Sequence, residues 1–97
     1  NVITAKWQGG IKDGKGFIGI HTATATAVNW PEYGEMLGGV FDNHPWGIAD
    51  AKIVVERPDF PAMKALKSGM VLKDEHYAML AKPYSRANVD VLARIDT

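Results

Sequence analysis

The run Phe17-Ile18-Gly19-Ile20, entered through Gly14-Lys15-Gly16 and left through His21, constrains the fold more than any other segment. A short apolar run bounded by glycine reads as a buried strand. The residues after it, His21-Thr22-Ala23-Thr24-Ala25-Thr26-Ala27, are small and rich in hydroxyls, which suits a turn where backbone or ligand approaches closely. Downstream, Trp30 to Gly39 carries Pro31 at a first helical position and Gly38-Gly39 at a stop. A short helix is predicted between them, with Trp30, Tyr33 and Leu37 on its inner face.

The second half alternates strand and turn signals. Asp42-Asn43-His44-Pro45-Trp46-Gly47 reads as a loop, and Ala51 to Glu56 reads as a β-branched strand ended by Arg57-Pro58. Pro61 to Leu66 reads as a short helix before the turn at Ser68-Gly69. Val71 to Leu80 mixes apolar and acidic residues, as a strand crossing a site would, with helix as the alternative. Val89 to Ile95 alternates like a strand covered on one face. Ala5-Lys6-Trp7-Gln8 reads as the tail of a helix stopped by Gly9-Gly10. Strands separated by short helices predict an α/β fold with a partly parallel sheet, since parallel neighbours need a crossover. Residues 1–97 make one domain at most, and a chain this short buries only about two-thirds of its unfolded surface.

Composition narrows the function. Eleven basic and eleven acidic side chains cancel, so no overall field favours nucleic acid or an anionic membrane. No run approaches the roughly 18 apolar residues of a membrane span. Cysteine is absent, which excludes disulfides, thiolate metal sites and a cysteine nucleophile from this sequence. Nothing in the composition fixes a compartment.

The blocks Gly14 to Thr24, Trp30-Pro31-Glu32-Tyr33-Gly34, Gly38 to Pro45, Asp74-Glu75-His76-Tyr77, and Pro83-Tyr84-Ser85-Arg86 with Val89 to Asp96, resemble those of ThuA-like (trehalose-utilisation) domains, in the same order. The resemblance implies a flavodoxin-like open sheet related to class I glutamine amidotransferases. In those relatives a nucleophilic cysteine occupies the sharp turn after a glycine-bearing strand, and His21 stands at the corresponding position here. A histidine does not replace that thiolate, so amidotransferase chemistry is not expected. The resemblance implies instead a role in disaccharide metabolism through keto-sugars. The chain departs from the family pattern at Ala25, where an Asp is usual, and at Asn43, where Gly or Lys is frequent. Family domains are also longer, so the chain is expected to be a carboxy-terminal part whose open sheet edge promotes self-association.

The expected site gathers around the turn after the first strand, where open α/β sheets hold ligands. His21 and Glu75 are the candidate catalytic residues, handling protons beside a sugar carbonyl or hydroxyl. His44, Trp46, Asp42, Trp30, Tyr77 and Arg86 are the candidate substrate-binding residues, with an aromatic face for the sugar ring. Five of them have a plainer reading: His21 anchors its turn, His44 caps a loop, Trp46 covers the core, Glu75 is a solvated charge, Arg86 belongs to a turn. Asp74 and Glu75 are adjacent on a strand, so only one of them enters a given pocket. Three histidines with Asp and Glu also form a donor set suited to a divalent cation, zinc or manganese, although no short ligand spacing supports one. The expected ligand is a small-molecule sugar, with no cofactor identified.

Overall fold

The computed structural model describes residues 13–96, so the helix tail expected around Ala5 to Gln8 lies outside the described residues. Helix α1 (Pro31–Leu37) forms where its end signals place it. Pro31 takes the first turn, where a missing N–H costs nothing, and Gly38 closes the helix in the left-handed region at φ 83°. The Gly38 N–H donates to the carbonyls of Gly34 and Glu35. A side chain at Gly38 would meet Val89 as well as adopt a disfavoured φ. Gly38→Ala is therefore expected to cost about 2 kcal/mol, read as a lower urea midpoint at unchanged slope. A midpoint equal to wild type would show that the helix stop relaxes freely.

Among the described residues there are five strands, four of which overlap segments read as strand while the first does not. They are β1 (Phe41–Asn43), β2 (Ile48–Val55), β3 (Val71–Glu75), β4 (Ala78–Met79) and β5 (Ala93–Ile95). Two 3-10 turns, His21–Ala25 and Pro61–Ala65, complete the elements of the described residues. β1 reaches into the segment expected to be loop, taking Asp42 and Asn43 into a ladder in which Phe41 pairs with Met79. The predicted strand from Val71 to Leu80 breaks at His76 and Tyr77 into β3 and β4, which join different sheets. The strand expected over Val89 to Ile95 keeps only its last three residues, because the Leu92 carbonyl accepts from both Glu56 and Arg57 and ends the regular ladder.

Two expectations are corrected. Both sheets, β1-β4 and β3-β2-β5, are antiparallel rather than partly parallel. The physical reason lies in residues 56–70, which join β2 to β3 with one 3-10 turn and no crossover helix, so the chain doubles back beside itself. Phe17 to Ile20 is the second correction: it does not form a ladder among the described residues. Ile20 is extended at φ −114° and ψ 131°, yet Ile18 and Ile20 are 86% and 78% exposed. The apolar pattern sets the backbone conformation, and a strand additionally requires a hydrogen-bonded neighbour.

Tyr33 is the most buried apolar side chain described, at 4% exposure. Its ring stacks on Trp30 at 5.7 Å and meets Phe17 edge-on at 6.3 Å. Its hydroxyl donates to the Ala23 carbonyl at 2.9 Å. One helix side chain thereby fixes the turn that begins at His21. Leu37 closes on the same segment, since a Cβ on Gly19 would come within 2.9 Å of its Cδ2.

Candidate functional site

β3 is the element that assembles the site. Its register against β2 sets Asp74 opposite Ala49 and Glu75 opposite Ile48, so the two carboxylates leave the sheet on opposite faces. Each meets a different histidine. Asp74 Oδ1 lies 3.3 Å from His21 Nε2, and Glu75 Oε1 lies 3.7 Å from His44 Nε2. The rings form a row across the break between β3 and β4. His21 meets Tyr77 edge-on at 4.5 Å, Tyr77 meets Phe41 at 4.4 Å, and Phe41 stacks with His44 at 6.0 Å.

His21 opens its 3-10 turn at φ 44°, a left-handed conformation that a non-glycine residue rarely adopts. Such strain persists only where surrounding contacts over-determine it, and it concentrates at functional sites. The Tyr33 hydroxyl on Ala23 and the Asp74 carboxylate on the imidazole are two such contacts.

His76, quoted in a motif but given no role by the sequence, is 7% exposed and pins the strands beneath the site. Its Nε2 lies 2.9 Å from the Ala49 carbonyl and 3.2 Å from the Leu72 carbonyl. Carbonyl oxygens only accept, so His76 carries its proton on Nε2 and donates to both. The donor ties β3 to β2 at the pair that aims Asp74. A histidine flanked by acidic and aromatic residues at a strand end was the available signal.

Charge and burial tune the neighbours. The Glu75 N–H, donating to Asp74 Oδ1 at 2.8 Å, holds the Asp74 carboxyl below its ordinary value, with His21 adding to this against a smaller opposing effect of burial. Burial pushes the Tyr77 phenol up, and the charge and hydrogen bond of Glu75 push it further. Tyr77 therefore stays protonated at neutral pH, and its one O–H, facing Glu75, is a donor that an incoming oxygen would take over.

The remaining predicted residues are dispersed. Trp46 sits in the turn closed by the Gly47 N–H on the His44 carbonyl and is 47% exposed. Asp42 accepts from Asn43 Nδ2 at 3.0 Å. Trp30 lines a separate groove with Pro31, Lys82 and Tyr84. Arg86 grips Glu56 with two bonds of 2.8 and 2.7 Å, and Arg94 adds a third at 2.9 Å. Its guanidinium is thus engaged in tying the 84–88 turn to the end of β2. Among the described residues no group of three His, Asp or Glu converges to hold a metal ion; the donors are divided into pairs.

The Arg86 bond holds the Glu56 carboxyl below its ordinary value of 4.5, and Arg94 lowers it further. A depressed folded value means that Glu56 stabilises the fold fully above 4.5 and loses that contribution as pH falls through the folded value. Thermal midpoints taken from neutral pH into the acid range should fall less steeply for Glu56→Gln than for wild type. Parallel curves below 4.5 would remove this cluster from the acid sensitivity.

The family model described as trehalose utilisation, ThuA, matches residues 2–97. The chain belongs to the ThuA family. No curated protein and no solved structure matches it. Membership ties this ThuA domain to a role related to trehalose utilisation. Of the residues marked as candidates in the sequence, the structure brings His21, His44, Glu75 and Tyr77 into one cluster and adds Asp74 and Phe41.

Proposed function

We propose that this ThuA domain acts on a disaccharide or keto-sugar at the cluster of His21, His44, Glu75 and Tyr77, without glutamine amidotransferase activity. The observation that carries the reading is the strained His21 turn, at φ 44°, held against a carboxylate beside a protonated phenol. A sugar carbonyl accepting from the Tyr77 hydroxyl would become more acidic at its neighbouring carbon, and His21 is the group suited to take that proton. Glu75, paired with His44, supplies a second proton-carrying unit for the opposite oxygen. Trp46 and His44 are open to solvent and offer rings on which a sugar stacks. That openness favours one alternative, a carbohydrate-binding or accessory domain that performs no reaction.

Calorimetry and thermal-shift titrations with trehalose, 3-keto-trehalose and glucose, each with and without zinc or manganese, test the proposal on wild type, His21→Ala and Glu75→Ala. Stabilisation by one sugar that both substitutions remove is the expected result. Product formation then identifies an enzyme, and saturable binding without product identifies the accessory domain. A cooperative melt that no sugar moves overturns both readings.

A further inference from the structure

We infer that Asp74, passed over in favour of Glu75 in the sequence, is the positioning residue for His21: its carboxylate takes the His21 Nε2 proton as a hydrogen bond and leaves Nδ1 as the free base. The inference rests on the reading of His21 as the proton-transferring group. An ionised carboxylate has only acceptor oxygens, so a neutral imidazole that faces it through Nε2 must donate from that nitrogen. At 3.3 Å the contact lies just beyond the usual N–H···O range, as catalytic contacts often do where no ligand is bound.

The carboxylate itself is held. The same oxygen that faces His21 accepts the Glu75 N–H at 2.8 Å, which fixes the Asp74 side chain against its own strand. That strand is fixed in turn, because Asp74 pairs with Ala49 and His76 bridges the Ala49 and Leu72 carbonyls. On its other side the imidazole meets the edge of Tyr77 at 4.5 Å and 74°. The ring is confined by a main-chain-anchored acceptor and an aromatic wall, while its backbone is set by the φ 44° turn. Glu75 diverges to His44, so it does not share this duty. The division follows from strand geometry: two adjacent acids serve two histidines because consecutive side chains alternate faces.

The test reads the imidazoles directly and needs no substrate. Long-range proton–nitrogen correlations of the full chain, taken about two pH units above the ordinary histidine value of about 6.5, report the tautomer of each ring. In wild type the two His21 nitrogens should give the well-separated shifts of a single Nε2–H form. In Asp74→Ala those shifts should move towards each other as the tautomers average, while the His44 pattern stays as in wild type and certifies the fold. Asp74→Glu, which keeps a carboxylate, should restore much of the separation. A His21 pattern in Asp74→Ala identical to wild type, or averaged shifts already present in wild type, overturns the assignment. Failure of every sugar to bind would sink the functional reading and leave this spectroscopic result standing, so the two failures are distinguishable.

Discussion

Tyr33→Ala is expected to remove about 3–5 kcal/mol of stability, the range for deleting a buried aromatic ring. Folded domains have only about 5–15 kcal/mol in total, and this chain is short. The substitution takes away the ring that Trp30 stacks on and Phe17 abuts, and it leaves the Ala23 carbonyl with only the longer bond from the Thr26 N–H at 3.3 Å. Few other side chains can compensate, since Tyr33 is the one apolar side chain in the buried class among the described residues. Tyr33→Phe separates the two contributions: it keeps the ring and should cost about 1 kcal/mol, the usual net worth of a hydrogen bond. Urea unfolding followed by circular dichroism measures both. If Tyr33→Ala unfolds within about 1 kcal/mol of wild type, the stack around Tyr33 is not the core of this fold. Because Tyr33 holds the turn that begins at His21, Tyr33→Phe should also loosen the site, seen as a broader His21 ring signal.

His21→Gly is expected to move activity and stability in opposite directions. Losing the proton-transferring group should lower turnover of a responsive sugar by about 10²–10⁴-fold, the usual contribution of a general acid or base. Glycine adopts φ 44° without the steric cost that histidine bears, so the fold should gain about 1 kcal/mol. The pair with Asp74 is exposed and its loss subtracts little. His21→Ala should lose the same activity without the gain, because alanine retains a Cβ in the left-handed region. A functional residue placed in strain at the expense of stability predicts this pattern. If both variants are less stable than wild type and turnover persists, His21 is an anchor of its turn and the catalytic reading fails.

The sequence made much of the local structure legible. Pro31 and Gly38 bounded α1 correctly, since a missing N–H and a left-handed φ are stereochemical facts of single residues. β-branched residues marked β2, and the 3-10 turns at His21–Ala25 and Pro61–Ala65 fell where small residues or proline called for a turn or short helix. The acidic strand at Val71–Glu75 was also legible, with its two carboxylates on opposite faces. Strand direction was not. Phe17 to Ile20 had every local mark of a strand and lacks a ladder among the described residues, because pairing depends on what lies beside it.

The chemical inventory of the site is written along the chain: two histidines in turns, adjacent acids on a strand, aromatic rings for a sugar and no thiolate. The partnerships come from the folded arrangement. His21 meets Asp74 and not Glu75, Tyr77 stands between the histidines, Arg86 is engaged by Glu56, and Trp30 stacks on Tyr33 away from the row of site rings. The physical reason is range. Caps, turns and alternation act over a few residues and are written in the local sequence. A contact between His21 and Asp74 depends on the register of β3 against β2, a left-handed turn and a buried tyrosine that fixes it, and no spacing along the chain encodes their meeting.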